Sequence, residues 1–109
     1  LKREERLHRK TEQRFYGDLV IDYASKCVHI KGNALGLTKL EYEIIELLST
    51  NPEMVFDKER IYEKISGYDA EGDSRVVTEL IRRIRKKINQ YTEHEYIETI
   101  WGMGYKWAK

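Results

Sequence analysis

One stretch of this 109-residue chain concentrates basic side chains. Residues 73–89 hold six Lys or Arg residues and two acidic residues, so the stretch carries a net charge of +4. The six are Arg75, Arg82, Arg83, Arg85, Lys86 and Lys87. Such side chains bind phosphates, and an Arg fork also fits the O6 and N7 atoms of guanine. The favoured chemistry is therefore nucleic-acid binding, although a solvated helix face has the same composition.

The charge balance differs between the other segments of the chain. Residues 1–14 carry a net charge of +3, whereas the remaining residues together hold eight basic and fourteen acidic side chains, a net charge of −6. The formal net charge of +1 is therefore a cancellation between segments. A basic segment in an acidic body is typical of a surface directed at nucleic acid.

The basic stretch has the periodicity of an amphipathic helix. At 100° per residue its apolar residues fall within about 60° of one another, which predicts a buried seam. The seam consists of Val77, Ile81, Ile84 and Ile88. The opposite, outward face consists of Arg75, Glu79, Arg82 and Lys86. Thr78 and Arg83 lie on its two flanks.

The segments before this helix predict a small sheet and two further helices. Between residues 15 and 37, short alternating apolar runs separated by glycine-containing turns indicate three or four antiparallel strands. Thr38 and Glu41 form a capping-box pattern, so a helix should begin there and end at Asn51–Pro52. Its predicted apolar face is Leu40, Ile44, Leu47 and Leu48. A second, short helix is expected between the N-cap Asp57 and Gly67. Its predicted buried residues are Ile61 and Ile65.

The last segment predicts a β-hairpin. Residues 96–100 and 105–107 are strand-like and flank a glycine-rich tip. The tip consists of Trp101, Gly102, Met103 and Gly104. The order of sheet, three helices and hairpin defines an α+β fold, a winged helix-turn-helix with an N-terminal antiparallel sheet. In this plan the third helix enters the major groove of DNA, and the hairpin, or wing, reaches the backbone or the minor groove.

Length and composition exclude several other classes. A chain of 109 residues builds one domain with one modest core, which excludes two-domain enzymes. The lone Cys27 permits neither an internal disulfide nor a cysteine metal pair, and we expect it to pack on a strand. The three histidines lack metal-ligand spacing, and the sequence has no nucleophile or dinucleotide motif. Catalysis, a metal and other cofactors are therefore not predicted. No apolar run is long enough for a membrane span, and a cytoplasmic location is expected.

Five runs of the sequence resemble, in family order, the output domains of OmpR/PhoB-type response regulators. The runs begin at Leu37 (LTKLEY), Asp57 (DKERI), Asp73 (DSRVV), Ile81 (IRRIRKKI) and Ile97 (IETIWGMGY). The resemblance covers residues 15–107. It implies a winged-helix DNA-binding domain over residues 15–109, preceded in residues 1–14 by a linker from a receiver domain that this chain lacks. Residues 69–73 and the WGMGYKW ending also resemble, less specifically, regulators that respond to lantibiotic peptides.

The resemblance implies sequence-specific binding of double-stranded DNA in the control of transcription. Phosphorylation of the receiver domain by a cognate sensor histidine kinase would regulate it, and no cofactor is implied. The loop between the second and third helices is implied to contact RNA polymerase. This loop consists of Gly67, Tyr68, Asp69, Ala70, Glu71 and Gly72. Because each apolar stripe is accounted for by one core, we expect the isolated domain to be a monomer that pairs on neighbouring DNA half-sites.

The resemblance also assigns roles to individual residues. The implied phosphate contacts are Arg75, Arg82, Arg85, Lys86, Thr99 and Tyr105. The implied base contacts are Thr78, Glu79 and Arg83, whose side chains suit thymine, cytosine and guanine edges. Glu79 lies four residues from both Arg75 and Arg83, so a salt bridge within the helix is the alternative. Trp101 stands where the family usually has Arg, and it cannot pair with a phosphate.

A winged-helix module that binds protein or RNA is the alternative function. The near-zero net charge and the acidic first helix, with Glu41, Glu43 and Glu46, favour this alternative. The concentration of positive charge on one helix face favours duplex DNA.

Overall fold

The computed structural model describes residues 13–66 and 73–108. In these ranges the strands are β1 (Gln13–Tyr16), β2 (Leu19–Asp22), β3 (Cys27–Ile30), β4 (Asn33–Ala34), β5 (Ile97–Ile100) and β6 (Gly104–Trp107). The helices are α1 (Lys39–Ser49), α2 (Lys58–Ser66) and α3 (Arg75–Asn89). The predicted order of sheet, three helices and hairpin is confirmed.

Strands β1 to β4 form one antiparallel sheet in chain order. β1 begins at Gln13, so residues 13–14, which were expected in the linker, pair with β2. Because successive side chains of a strand point to opposite faces, four apolar residues of β2 and β3 share one face of the sheet. These residues are Leu19, Ile21, Val28 and Ile30, all buried. Cys27 lies on the opposite face and is exposed, so its predicted packing was wrong.

Helix α1 begins with the predicted capping box. Thr38 Oγ1 accepts from the Glu41 backbone N at 3.3 Å, and Glu41 Oε1 accepts from the Thr38 backbone N at 3.0 Å. The predicted apolar face was partly wrong, because Leu40 is exposed and Leu47 is only half-buried. Both lie roughly 140° to 160° from Ile45 on the helix surface, and Ile45 is at the centre of the buried face. The buried side chains of α1 are Glu41, Tyr42, Ile44, Ile45, Leu48 and Ser49.

Helix α2 begins after the predicted N-cap. Asp57 Oδ1 accepts from the Arg60 backbone N at 2.7 Å, and this bond satisfies one of the free amides of the first turn. Ile61 and Ile65 are buried, as predicted. The predicted stop at Gly67 lies outside the described residues.

The C-terminal hairpin, β5 and β6, is attached to the rest of the domain at two places. The Phe56 and Tyr105 backbones exchange two hydrogen bonds of 2.9 Å, so a short bridge before α2 pairs with β6. At the other end of β6, Trp107 is buried and packs edge-on against Tyr16, with 5.1 Å between ring centroids. The hairpin is therefore held against both the helices and the sheet.

Candidate nucleic-acid interface

The orientation of α3 follows from its apolar seam. Val77, Ile81, Ile84 and Ile88 are buried as predicted, and Leu80 joins them. Burial of five side chains from one face leaves the opposite face in solvent. That face presents Arg75, Thr78, Arg82, Arg83 and Lys86, all exposed. The structure therefore brings together most of the residues predicted to contact DNA through this helix.

Glu79 lies among these side chains and binds two of them. Arg82 donates to the Glu79 carboxylate twice, at 3.2 and 2.9 Å, and Arg83 Nε donates to its Oε2 at 3.1 Å. The hydrogen bond from Arg82, assisted by that from Arg83, holds the pKa of Glu79 below its ordinary value. The carboxylate therefore stays ionised at neutral pH and places two guanidinium groups side by side on the exposed face.

Arg75 pairs with Asp73 and not with Glu79, the partner that the spacing along the helix allowed. Its guanidinium donates to Asp73 Oδ2 at 3.1 and 2.9 Å, and its backbone N donates to Asp73 Oδ1 at 2.9 Å. The backbone bond from Arg75, followed by the bond from its side chain, lowers the pKa of Asp73. An anion at the start of a helix is favourable, so Asp73 both stabilises the first turn of α3 and anchors Arg75.

Arg85 points toward the hairpin. Its Nη2 donates to the Ile97 carbonyl oxygen and to Thr99 Oγ1, both at 2.8 Å, and its guanidinium lies 5.8 Å from the Tyr105 ring centroid. Three of the predicted phosphate contacts, Arg85, Thr99 and Tyr105, are thus half-buried in one joint between α3 and the hairpin. This joint sets the distance between the helix and the wing, while the phosphate contacts of these residues stay a prediction.

The next two residues of α3 differ sharply in their surroundings. Lys86 is exposed, whereas Lys87 Nζ lies 2.6 Å from Glu41 Oε1 and also donates to the Gly36 carbonyl oxygen at 3.1 Å. Burial alone would raise the pKa of Glu41, but the hydrogen bonds from Lys87 and Thr38 outweigh it and lower the pKa. Lys87 therefore ties the C-terminal part of α3 to the start of α1.

The wing tip contains the predicted glycine-rich turn. Gly102 and Gly104 have φ angles of +80° and +143°, conformations that favour glycine. A Cβ at position 104 would also lie 2.7 Å from the Phe56 carbonyl carbon and 2.8 Å from Asp57 Cα, so Gly104 is needed for the close approach to this bridge. Trp101 and Met103 point into solvent, with 89% and 62% of their surface exposed.

Two contributors to this surface were not predicted as site residues. Asp73 was given no role in the site, although its place two residues before Arg75, at the start of a helix, was a usable signal. Phe56 supports Tyr105 through backbone hydrogen bonds, which leave no trace in side-chain patterns. The predicted polymerase-contact loop, residues 67–72, lies outside the described residues.

Within residues 13–66 and 73–108, no group of three His, Cys, Asp or Glu side chains has a geometry that could hold a metal ion. Of the helices in these ranges, none has the length and apolar character needed to cross a membrane.

The three helices, with an exposed basic third helix and a glycine-cornered hairpin joined to it, define the winged helix-turn-helix class. Residues 32–107 match the family model described as "Transcriptional regulatory protein, C terminal", and the chain belongs to this family. The chain is a C-terminal effector domain of the OmpR/PhoB type.

Known relatives agree with this assignment. The chain is 39% identical over 105 residues to the transcriptional regulatory protein SpaR of Bacillus subtilis, covering 96% of this chain and 47% of SpaR. It is similar to the solved structure of DrrB, an OmpR/PhoB homologue of Thermotoga maritima, with 34% identity and a TM-score of 0.79, covering all of this chain and 51% of DrrB. The chain thus spans about half the length of these relatives.

A third similarity is to an isolated domain. The Klebsiella pneumoniae RstA DNA-binding domain, solved in complex with the RstA box, is 26% identical with a TM-score of 0.75. The match covers 89% of this chain and 97% of the RstA domain, so the two have nearly the same extent.

Proposed function

We propose that this chain binds double-stranded DNA sequence-specifically, as the output domain of a two-component response regulator that controls transcription. The observation that carries the proposal is the exposed face of α3, where Arg82 and Arg83 lie beside Thr78 and opposite a fully apolar seam. An α-helix fits the major groove, and Arg and Thr side chains can contact base edges there. The RstA domain, of similar fold and extent, is a DNA-binding domain in complex with its box.

The contacts divide into two kinds. We propose that Arg75, Arg82 and Lys86 bind phosphates, which positions the helix, and that Thr78 and Arg83 contact bases, which specifies sequence. Glu79 accepts from Arg82 and Arg83 in the free protein, and we propose that it either keeps Arg83 aimed at a guanine or accepts from a cytosine. Arg85, Thr99 and Tyr105 offer phosphate contacts only at the outer edge of the joint that they form.

The larger protein supplies the remaining proposed partners. A receiver domain joined to this domain through the linker, and phosphorylated by a cognate sensor histidine kinase, would regulate DNA binding. Residues 67–72 would contact RNA polymerase. The domain would act in the cytoplasm, without catalysis of its own, as a monomer that pairs on DNA.

Selection from a random duplex pool, followed by fluorescence anisotropy, tests the proposal. We expect the chain to enrich one sequence motif and to bind that duplex more tightly than a scrambled duplex or single-stranded RNA of the same length. Arg82→Ala, which changes an exposed side chain, should weaken the binding, whereas Arg60→Ala on α2 is a matched control for the loss of one positive charge. Tighter binding to single-stranded RNA, or no enriched motif, would refute the proposal.

A further inference from the structure

One apolar side chain of α3 lies in solvent. The apolar residues of the seam are buried, whereas Val76, in the first turn of the helix, is 39% exposed. Its backbone N donates to the Asp73 carbonyl oxygen at 3.0 Å, so its main chain is fixed at the start of the helix. The neighbouring Arg75 guanidinium is held by the Asp73 carboxylate. Val76 therefore presents apolar surface that the core of the domain does not use.

The helical period places Val76 in line with a proposed base contact. Val76 and Arg83 lie about 20° from each other on the helix surface, and Glu79 lies between them along the helix. Arg83 Nε donates to Glu79 Oε2 at 3.1 Å, so the side chains of this strip lie along the exposed surface of α3. At about 1.5 Å per residue, Val76 precedes Arg83 by about 10 Å, which corresponds to about two or three base-pair steps of about 3.4 Å.

We propose that Val76 contacts the C5-methyl group of a thymine in the major groove, about two or three base pairs from the guanine contacted by Arg83. The inference rests on the proposed DNA-binding function and adds an apolar, sequence-reading contact to it. The thymine methyl is the apolar group that base edges present in this groove, and apolar side chains pack against it. In helix-turn-helix proteins, residues near the N-terminus of the recognition helix contact base edges, and Val76 occupies such a position.

The side chain of valine suits this contact. Branching at Cβ restricts χ1 of a valine in a helix to essentially one rotamer, so the methyl groups of Val76 are ordered before DNA binds. Packing of one methyl group against another removes apolar surface from water and is worth about fourfold in affinity. Burial of apolar surface releases no counterions, so this factor should be the same at every salt concentration, unlike the contribution of a phosphate contact.

The first experiment removes methyl groups from the DNA. In the duplex that the chain selects from a random pool, each thymidine is replaced in turn by deoxyuridine, which lacks only the C5-methyl group. The wild type is expected to bind about three- to fivefold more weakly when one particular thymine is replaced. That thymine should lie about two or three base pairs from the base position that Arg83→Ala relaxes.

The second experiment removes methyl groups from the protein and completes a double-mutant cycle. Val76→Ala should bind the thymine duplex about three- to fivefold more weakly than the wild type and should no longer distinguish thymine from uracil at the sensitive position. Val76→Thr, which keeps one γ-methyl group, should retain part of this discrimination.

Two controls accompany the cycle. Leu40→Ala is the matched variant, since Leu40 is 37% exposed on α1, and it should leave the affinities for the thymine and uracil duplexes unchanged. Thermal unfolding of Val76→Ala should stay close to that of the wild type, because Val76 is exposed and Ala favours a helix.

The outcomes separate this inference from the proposed function. Tight binding of the wild type to every deoxyuridine duplex, or additive losses from Val76→Ala and the uracil substitution, would overturn the contact of Val76 and leave DNA binding intact. Discrimination that disappears in Thr78→Ala and persists in Val76→Ala would also overturn it, since Thr78 would then be the residue that contacts the methyl group. If the wild type binds no duplex, the proposed function fails, and this inference fails with it.

Discussion

The six basic residues of α3 fall into two groups with different surroundings. The side chains of Arg75, Arg82 and Arg83 are 82%, 70% and 58% exposed, and Lys86 is exposed as well. Arg85 and Lys87 are only 31% and 29% exposed and bind the hairpin and α1. Charge alone therefore does not define the interface. The first group is available to DNA, and the second group orients the helix and the wing that present it.

The largest expected effect comes from the second group. Lys87→Ala should lower the free energy of unfolding by about 3 kcal/mol, because it leaves the Glu41 carboxylate buried without its counter-charge. The neighbouring substitution Lys86→Ala should change the free energy of unfolding by less than about 0.5 kcal/mol, since Lys86 is exposed. Urea unfolding measures both. Equal stabilities for the two variants would remove the distinction between the groups.

The ion pair between Lys87 and Glu41 also makes the stability of the protein depend on pH. The folded-state pKa of Glu41 lies below its unfolded value, so the pair stabilises the protein above the unfolded pKa of about 4.3. This stabilisation is lost as the pH falls through the folded pKa, where Glu41 becomes protonated. The difference in stability between wild type and Lys87→Ala should therefore shrink as the pH is lowered from about 5 through the folded pKa of Glu41. A difference that is constant over this range would contradict the role of Glu41.

The next largest effect comes from the exposed group and concerns DNA. Arg83→Ala should weaken binding to the selected duplex by about 1 to 3 kcal/mol and relax one base position, while affecting scrambled duplexes little. Arg82→Ala should weaken binding to all duplexes similarly, because a phosphate contact is independent of sequence. Anisotropy titrations with selected and scrambled duplexes compare the two variants. Uniform losses for both would show that Arg83 contacts only the backbone.

A smaller effect should follow when the exposed arginines lose their shared partner. Glu79→Gln removes the carboxylate that binds Arg82 and Arg83 and should strengthen binding to scrambled duplexes by roughly two- to fivefold. Glu43→Gln is the control, because it changes the net charge equally on α1. If both variants bind scrambled duplexes equally well, the Glu79 pairs do not compete with phosphates.

An effect of similar size is expected for pairing on DNA. Two half-sites about 10 base pairs apart place two copies of the domain on the same face of the duplex. Binding of the second copy should be about fivefold tighter than binding to a single half-site, and this gain should vanish when half a helical turn is inserted. Sedimentation should show a monomer without DNA. A stable dimer in free solution would contradict this expectation.

Much of the fold was predictable because its determinants are local. The capping box of Thr38 and Glu41, the N-cap Asp57 and the seam of α3 depend on spacing along one helix, and all three are confirmed. The apolar face of α1 was misplaced because Glu41 occupies a core position. A buried carboxylate at that position depends on Lys87, which is 46 residues away in the sequence and cannot be read from a helical period.

The candidate site was predictable only in part, because some of its contacts join segments that are far apart in the sequence. The helical period placed Thr78, Arg82, Arg83 and Lys86 on the exposed surface correctly. It could not show that Arg85 turns toward the hairpin, since the Thr99 hydroxyl and the Ile97 carbonyl that bind it come from a separate sheet. Resemblance to a family predicts which residues contact DNA, and tertiary contacts determine which of those side chains stay exposed.

The salt dependence of duplex binding tests the central claim most directly. If the exposed group on α3 and its neighbours contact roughly four to six phosphates, log affinity for the selected duplex should fall against log salt with a slope of about −4 to −5 per domain. Lys86→Ala should reduce the magnitude of this slope by about 0.9. A slope near zero, or one that Lys86→Ala leaves unchanged, would contradict the assignment of this face to DNA.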